Sequence, residues 1–361
     1  MSREKGTFLT SIKKYQEVIW KYVENMIRTR NVFFFSGSQI NEVLTLPMVM
    51  DVVELYFKLY SQNGIKCHRK EIFDIPAIGD IRFMAADDGK FFNVKLLGGV
   101  DRDPTEGVFL SGVNVLFTLK PIECVCISDA KVLTGIRTGA AGAVAIKYLA
   151  RKNSKRVAII GAGDQGYWQL RGITYVCREI NHVLVFDINT TKMRNACTIW
   201  RKLLNNIEVE PCSNIKKMVQ EADIIVTATP SRKPIIKDKW INPGTHINAI
   251  GADTAGKQEI ESSLLFRSKV VVDDVEQSLR LGELNVPFSA GLITRNKIYS
   301  TLGNIVIGQK RGRINEKEIT LFDSTGLSFQ DLAAHRLLFE KAVYLHTVKK
   351  RDVGHLISLN E

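Results

Sequence analysis

The stretch RVAIIGAGDQG, residues 156–166, contains the strongest fold signal of the sequence. A short aliphatic run is followed by glycines in the spacing G-x-G-x-x-G and then by a helical pattern. The spacing is informative because dinucleotide-binding loops of this kind join a strand to a helix. Gly161 permits the tight turn, Gly163 lets the backbone approach a pyrophosphate, and Gly166 lets the helix pack closely on the strand. The stretch therefore predicts the first strand, loop and helix of a dinucleotide-binding domain.

Polar residues near this loop predict which dinucleotide binds. Asp164 and Gln165 fall at the helix N-terminus, where free N–H groups and the helix dipole hold phosphates. Asp187 ends the next aliphatic run, about 20 residues after the glycines. A carboxylate there accepts hydrogen bonds from the adenosine ribose hydroxyls and repels a 2′-phosphate. NAD is therefore expected in preference to NADP.

Aliphatic runs continue after this loop and alternate with helical or loop segments. They cover residues 156–161, 182–187, 223–229, 246–251 and 269–274. Such runs are typical of strands buried on both faces, and their alternation with helices predicts a parallel sheet. A further strand is expected at 318–326, followed by an amphipathic helix over 328–349.

The chain before the glycine loop has a different pattern. Apolar spacing predicts helices over residues 8–30, 47–62 and 136–151. Strand-like segments between residues 72 and 127 predict an α+β region with a largely antiparallel sheet.

One hairpin in this sheet contains two cations whose role is open. The sequence GDIRFMAADDGKFFNVKLL, residues 79–97, has Asp88 and Gly89 at its turn, a pair that favours tight hairpins. Alternation along the two strands places Arg82 and Lys95 on defined faces. The segment alone leaves two interpretations open, a solvated cationic face or two cations directed at one point.

Composition limits the class of protein. The 361 residues are enough for two domains. The net charge is +12, but the basic residues are dispersed and no zinc-finger, RNP or KH motif occurs, so an anionic cofactor and an acidic substrate are expected rather than nucleic acid.

No apolar run of about 18 residues and no signal peptide is recognisable, so we expect no membrane span and a cytoplasmic location. The six cysteines form no CxxC pair or Cys/His pattern, so neither a metal nor a disulfide is expected.

Three further segments carry a family resemblance. LTGIRTGAAGAVAIKYLA (133–150), IGADTAGKQEI (250–260) and LFDSTGLSFQDLAAHRLLFE (321–340), together with the glycine loop, resemble the ornithine cyclodeaminase/mu-crystallin family. The resemblance implies an α/β fold in which a central Rossmann-type NAD-binding domain, residues 134–319, is flanked by a discontinuous domain. That α+β domain, residues 1–133 and 320–361, would bind substrate and form a homodimer, and residues 1–30 look like an additional N-terminal helix.

The resemblance also implies roles for individual residues. Arg137, placed at the start of its predicted helix, is similar to the arginine that contacts the amino-acid carboxylate, and Lys95 resembles the substrate lysine. Asp253 is similar to the catalytic aspartate that handles protons on the substrate nitrogen. Another carboxylate ligand of the family falls near Lys66, Arg69 and Lys70, and of these only Arg69 is assigned. Four residues resemble the family's cofactor-side contacts: Thr138, Thr227, Lys257 and Ser324.

Arg82 decides which branch of the family the chain resembles. The cyclodeaminases carry a glutamate there, in a pattern like GVIELMP, that serves ring closure and ammonia loss. In this chain GDIRFMA places Arg82 at that position and reverses the charge. The alanine dehydrogenases of the family have a pattern like DFRAMPA, whose arginine holds a substrate carboxylate. The resemblance is thus to an alanine dehydrogenase-like or siderophore-precursor dehydrogenase-like branch, with hydride transfer between a substrate Cα and nicotinamide through an imine.

Two alternatives stay open at this point. One is an ornithine (or lysine) cyclodeaminase in which another carboxylate, such as Asp80 or Glu71, replaces the missing base. The other is a binding protein that keeps the nucleotide without turnover, as mu-crystallin does in its ligand-holding role. The dehydrogenase is favoured over both.

Overall fold

The structure is a computed structural model that describes residues 16–101, 108–204 and 206–358. Residues 8–15 of the first predicted helix lie outside the described residues, and its remainder forms a helix. The described α-helices are α1 (Gln16–Arg28), α2 (Gly37–Val43), α3 (Leu46–Ser61), α4 (Ala130–Leu149), α5 (Asp164–Val176), α6 (Thr190–Leu203), α7 (Ile215–Glu221), α8 (Ser262–Arg267), α9 (Val275–Leu281), α10 (Asn285–Ser289), α11 (Leu302–Val306) and α12 (Ser328–Thr347).

The strands form two sheets. In chain order they are β1 (Asn31–Phe35), β2 (Lys66–Cys67), β3 (Glu71–Ile75), β4 (Gly79–Asp87), β5 (Phe91–Asp101), β6 (Val108–Leu119), β7 (Ile122–Asp129), β8 (Arg156–Ile160), β9 (His182–Phe186), β10 (Glu208–Pro211), β11 (Ile224–Thr227), β12 (His246–Ala249), β13 (Ser268–Val272), β14 (Ile298–Thr301), β15 (Ile319–Asp323) and β16 (His355–Ser358).

The chain divides into two compact units. Unit 1 contains the chain up to Val100, Phe109–Arg137 and the chain from Ser328 onward, and unit 2 contains Thr138–Leu327. The division falls inside α4 because this helix begins at Ala130, six residues before the predicted start. Arg137 therefore lies in the interior of a helix, and its predicted position at a helix start was wrong.

Unit 1 is built on an eight-stranded sheet. Its order is β16-β1-β7-β6-β5-β4-β2, with β3 also paired to β4. Five of its pairs, β16–β1, β7–β6, β5–β4, β4–β2 and β4–β3, are antiparallel, and β1 with β7 is parallel, in agreement with the predicted α+β character. Helix α12 lies against β4 and α3, and from Ser328 to His335 every residue is buried. The predicted amphipathic pattern was therefore wrong for the first half of this helix, which is buried all round.

The β4–β5 hairpin forms as its sequence predicts. Gly89 adopts a φ of +79°, a conformation that glycine reaches at little cost. Met84 pairs with Lys95, and Arg82 pairs with Leu97. Because side chains alternate along a strand, Arg82 and Lys95 point to the same face of the sheet. Both are buried, which rules out the solvated-face interpretation.

Unit 2 contains a parallel sheet with the order β10-β9-β8-β11-β12-β15-β13-β14. Six of its strands lie where strands were predicted, namely β8, β9, β11, β12, β13 and β15, whereas β10 and β14 were not predicted. The predicted Rossmann-type architecture is confirmed. Strand β15 lies between β12 and β13, in the interior of this sheet. The boundary between the units is therefore at Leu327/Ser328. The predicted boundary at 319/320 would have divided β15.

Three properties of the described residues concern partners and cofactors. No described helix has the length and apolarity needed to cross a membrane. All six cysteines are free thiols. In the part of the chain that the structure describes, His, Cys, Asp and Glu side chains form no group of three or more suited to a metal ion.

Candidate active-site residues

The glycine loop of unit 2 leaves space at one of its three glycines. Gly161 has a φ of +108°, and a Cβ added there would lie 2.4 Å from the carbonyl oxygen of Ala228. A Cβ on Gly166 would lie 2.2 Å from the carbonyl oxygen of Gly161. At Gly163, by contrast, a Cβ would meet only one described atom within 4 Å, the Nζ of Lys192 at 3.7 Å. Packing therefore requires glycine at Gly161 and Gly166, whereas Gly163 lines an open cradle.

Helix α5 begins in the same loop. Gly163 is the N-cap of α5, and no described side chain caps this helix end. Asp164 lies in its first turn, and the Oε1 of Gln165 is buried without a hydrogen-bond partner among the described residues. Free N–H groups and the helix dipole favour an anion here. The residues present thus fit a dinucleotide pyrophosphate.

Asp187 lies directly after β9 with its carboxylate held in place. Its Oδ2 accepts a hydrogen bond from the backbone N–H of Ala162 at 2.9 Å, and its Oδ1 accepts one from Asn189 at 3.0 Å. The side chain is 10% exposed. Two backbone donors therefore orient this carboxylate at the carboxyl edge of the sheet, where ligands of such folds bind.

The other predicted cofactor-side residues are buried in unit 2. Thr227 ends β11 and Ser324 follows β15, so both are at the carboxyl edge of the sheet. Thr138 lies in α4, where its carbonyl oxygen accepts a hydrogen bond from Gln169 at 2.9 Å. These positions are compatible with the predicted contacts, which stay predictions.

Asp253 lies in the loop that follows β12. Its Oδ1 accepts a hydrogen bond from the Nζ of Lys257 at 2.8 Å, and the two side chains are 25% and 12% exposed respectively. The buried side chain of Asn285 holds this loop from the other side. It accepts a hydrogen bond from the N–H of Gly256 at 2.8 Å and donates one to the carbonyl of Lys257 at 2.9 Å. Asn285 was not identified from the sequence.

Two buried carboxylates hold the end of the same loop. Glu283 accepts hydrogen bonds from the backbone N–H groups of Glu259 and Ile260. Glu259 in turn accepts from the N–H groups of Thr229 and Gly251. Burial raises the pKa of both carboxyl groups, and the neighbouring Glu259 raises that of Glu283 further. Glu259 also accepts a hydrogen bond from the Thr229 hydroxyl at 2.7 Å, and the loop contacts of both carboxylates indicate that they position loops.

A second buried polar group lies in unit 1. The Nζ of Lys95 is 2.8 and 2.9 Å from the two carboxylate oxygens of Asp331. Arg137 donates from Nε to the same carboxylate at 3.1 Å and from a terminal nitrogen to Gln330 at 2.7 Å. Helix α12 thus fixes the two predicted carboxylate ligands. Neither Asp331 nor Gln330 was predicted, although both lie in a segment that carries the family resemblance.

The electrostatics of this group are set by burial. The pKa of Lys95 is lowered to about 7, mainly by loss of hydration and also by repulsion from Arg137, while Asp331 partly offsets both effects. Burial alone would raise the Asp331 pKa, but Arg137 and Lys95 hold it below its usual value. The ammonium form of Lys95 is therefore only marginally favoured at neutral pH, and an anion placed beside it would stabilise that form.

Arg82 is held by a carboxylate of its own strand. Its Nε lies 2.6 Å from Asp80 Oδ1, and a terminal nitrogen lies 2.9 Å from Oδ2. The arginine is 7% exposed. These two parallel hydrogen bonds to Asp80 fix the plane of the guanidinium, which lies on the same sheet face as Lys95.

Lys70, not Arg69, belongs with these cations. The side chain of Arg69 is 69% exposed and lies near Glu71 at 3.6 Å. Lys70 is 4% exposed, and its charge acts on Lys95. Ile72 pairs with Arg82, so strand alternation places Lys70 on the buried face. Arg69 therefore does not lie among the buried cations, and its predicted role as a carboxylate ligand stays a prediction; the pairing of β3 with β4 favours Lys70 over Arg69 at this position.

These side chains form an anion-binding arrangement, called the cationic group below. Four buried cations face two carboxylates; they are Lys70, Arg82, Lys95 and Arg137, with Asp80 and Asp331. The concentration of buried positive charge in this group favours binding of an anion. Arginine suits carboxylates in particular because its planar fork donates two parallel hydrogen bonds.

Comparison with known proteins identifies relatives over most of the chain. The Ornithine cyclodeaminase/mu-crystallin family matches residues 31–345. Alanine dehydrogenase from Archaeoglobus fulgidus is 36% identical over 309 residues, 85% of this chain and 94% of that protein. Ornithine cyclodeaminase from Agrobacterium tumefaciens is 32% identical over 313 residues, 84% and 85% of the two chains.

Two solved structures resemble the fold closely. An archaeal alanine dehydrogenase dimer with bound NAD has a TM-score of 0.84 at 33% identity, covering 91% of this chain and 99% of that one. The Δ(1)-pyrroline-2-carboxylate reductase of Thermococcus litoralis, in complex with NADH and L-proline, has a TM-score of 0.85 at 31% identity, covering 90% and 100%.

Proposed function

We propose that this chain, which belongs to the ornithine cyclodeaminase/mu-crystallin family, is an NAD-dependent dehydrogenase that interconverts an amino acid and its imino acid. The observation that carries the proposal is the buried Arg82, held by Asp80 on the same sheet face as Lys95. A cation there repels the distal ammonium of ornithine and attracts a carboxylate. It therefore favours dehydrogenation over cyclodeamination.

The cationic group of unit 1 would hold the substrate carboxylate. Arg137 and Lys95 are fixed by Asp331, so they lose little conformational freedom when an anion binds. Arg82 and Lys70 add positive charge on the same face, which suits either one carboxylate or a dicarboxylate. The relatives' substrates, an amino acid and cyclic or acidic imino acids, contain such groups.

The glycine loop of unit 2 would hold NAD. The cradle at Gly163 and the N-terminus of α5 would take the pyrophosphate, and Asp187 would accept hydrogen bonds from the ribose. Thr138, Thr227 and Ser324 would complete the cofactor contacts. Bound NAD supplies the hydride acceptor for the substrate Cα–H bond.

Asp253 would accept the proton that leaves the substrate nitrogen. The ion pair with Lys257 at 2.8 Å favours the ionised carboxylate, the form that can take a proton. Loss of a proton from the substrate ammonium and of a hydride from Cα leaves the protonated imine. In the oxidative direction water then hydrolyses the protonated imine to an oxo acid and ammonium. Asp253 is thus proposed as the catalytic base, and Lys257 as the residue that keeps it charged.

A homodimer through the sheet of unit 1 is proposed as the assembly. The face opposite the cationic group exposes apolar side chains, including Phe73, Ile81, Leu96 and Val100. Contiguous exposed apolar surface marks an interaction site. One relative of known structure is a dimer.

The proposed replacements for the missing cyclodeaminase base are poorly placed. Both carboxylate oxygens of Asp80 accept hydrogen bonds from Arg82, so they are already engaged. The Glu71 side chain is 50% exposed and lies beside Arg69. Neither carboxylate is therefore suited to serve as a general base for ring closure.

Steady-state assays of the full chain test the proposal. NADH formation would be measured with NAD and alanine, proline, aspartate or ornithine, and NADH consumption with the corresponding imines. We expect net NADH formation or consumption with one of these classes. Ammonium release from ornithine without net NADH would instead identify a cyclodeaminase, and NADH binding without any turnover would indicate a ligand-holding protein.

A further inference from the structure

Lys192 occupies a position between the two parts of the proposed cofactor site in unit 2. It lies in the first turn of α6, where its backbone N–H donates to Asn189. Its Nζ is 3.7 Å from the Oδ2 of Asp187 and 3.7 Å from the position of a Cβ on Gly163. The side chain is 35% exposed, so a ligand can approach the ammonium. One cation therefore lies beside both the ribose-binding carboxylate and the pyrophosphate cradle.

The charge of Lys192 changes what Asp187 does to a ligand. A lone carboxylate at this position repels a 2′-phosphate and so selects NAD. An ammonium within 4 Å offsets much of that repulsion. Lysine is also a good phosphate partner because its compact charge and flexible stem can follow the ligand. The Asp187 carboxylate is already oriented by Ala162 and Asn189, so the lysine is not needed for that purpose.

We propose that Lys192 is a phosphate ligand at the adenosine end of the dinucleotide and that it allows this protein to bind NADP as well as NAD. The inference rests on the proposed dinucleotide site and extends it to cofactor choice. Lys192 is a specificity-determining residue in this arrangement, since it accommodates the 2′-phosphate that Asp187 alone would exclude.

Binding of the reduced dinucleotides tests this without turnover. Dissociation constants for NADH and NADPH would be measured by energy transfer from protein tryptophan, with the full chain and no substrate. We expect wild type to bind NADPH within about tenfold of NADH, and Lys192→Gln to widen that ratio by a further tenfold or more, the value of one charge-assisted hydrogen bond. The Lys192→Arg variant should keep the wild-type ratio because it keeps the charge.

The matched control is Lys202→Gln, an exposed lysine on the same helix. It should leave both constants unchanged, and thermal unfolding checks that each variant is folded. An unchanged NADPH/NADH ratio in Lys192→Gln, or equal weakening of both ligands, would overturn the proposal. If wild type bound neither dinucleotide, the proposed function itself would fail, an outcome distinct from a failure of Lys192 alone.

Discussion

Both units bury charged side chains, but unit 1 buries cations and unit 2 buries acids. The cations of unit 1 are paired with side-chain carboxylates that they outnumber. In unit 2 the carboxylates of Glu259, Glu283 and Asp273 accept hydrogen bonds from backbone N–H groups of loops at the carboxyl edge of the sheet. Both units thus bury charged side chains, but the partners are side-chain carboxylates in unit 1 and mainly backbone N–H groups in unit 2.

The difference distinguishes a ligand-binding charge from a structural one. A carboxylate satisfied by backbone donors has little capacity for a ligand, and its removal leaves those donors unpaired. Burial raises the pKa of Asp273 to about 6, so this carboxyl group is protonated more readily than an exposed aspartate. A buried cationic side chain can bind an anion through charge-assisted hydrogen bonds. We therefore expect substitutions of these buried cations to affect substrate use, and substitutions of these buried carboxylates to affect stability.

The largest effect is expected for Lys95→Met. Removal of a buried substrate cation should lower kcat/KM by about 100- to 1,000-fold, while Arg137 keeps Asp331 paired. NADH affinity should not change. Steady-state kinetics and NADH binding measure both quantities, and Lys90→Met, an exposed lysine of the same hairpin, is the control. A normal kcat/KM in Lys95→Met would remove Lys95 from the substrate site.

The complementary change in unit 2 is Glu283→Ala. It leaves the N–H groups of Glu259 and Ile260 without their acceptor and should lower the free energy of unfolding by about 2–4 kcal/mol. The surface residue Glu276, paired with Arg295, is the control, and Glu276→Ala should cost under about 1 kcal/mol. Urea unfolding measures both. Equal stabilities for the two variants would contradict the positioning role of Glu283.

The Lys95 pKa of about 7 predicts a pH dependence. Substrate carboxylate binding should weaken as pH rises through this value, because the free enzyme loses the ammonium. The comparison is with Lys95→Arg, whose guanidinium stays charged and should remove this alkaline limb of kcat/KM. Use of the same substrate in both enzymes cancels titration of the substrate itself, and identical profiles would exclude Lys95 as the titrating group.

The same pKa has a consequence for stability. The folded value lies below the ordinary 10.5, so the unfolded chain binds more protons between about pH 7 and 10.5. The contribution of Lys95 to the free energy of unfolding therefore rises with pH over this window and is lost as pH falls through it. Urea unfolding of wild type and Lys95→Met would be measured at pH 7 and at pH 10. From pH 7 to pH 10, the free energy of unfolding of wild type should rise relative to that of the variant.

The smallest effect is expected for Asn285→Ala. Loss of its two hydrogen bonds to the Asp253 loop should lower kcat by about tenfold, with little change in NADH affinity. Asn285→Asp can accept from Gly256 but cannot donate to the Lys257 carbonyl, so it should be intermediate. A kcat equal to wild type in Asn285→Ala would show that the loop is held without this residue.

Local sequence patterns determined much of this protein. The glycine spacing and aliphatic runs predicted the parallel sheet, because turn geometry and burial on both faces constrain residue type locally. Strand alternation and the Asp88-Gly89 turn placed Arg82 and Lys95 on one face, because a hairpin register follows from its turn. The glycine loop, Asp187, Arg137 and Asp253 were likewise identified from short motifs, and the chemical roles of these residues stay predictions.

Only the tertiary structure decided which groups meet. Asp331 contacts Lys95 across 236 positions of sequence, Asn285 reaches the Asp253 loop, and β15 enters the sheet of unit 2 between earlier strands. The choice of Lys70 over Arg69 depended on the pairing of β3 with β4. Local patterns report the period and burial of a segment but not its neighbours, since strand pairing and helix packing are settled by the whole chain.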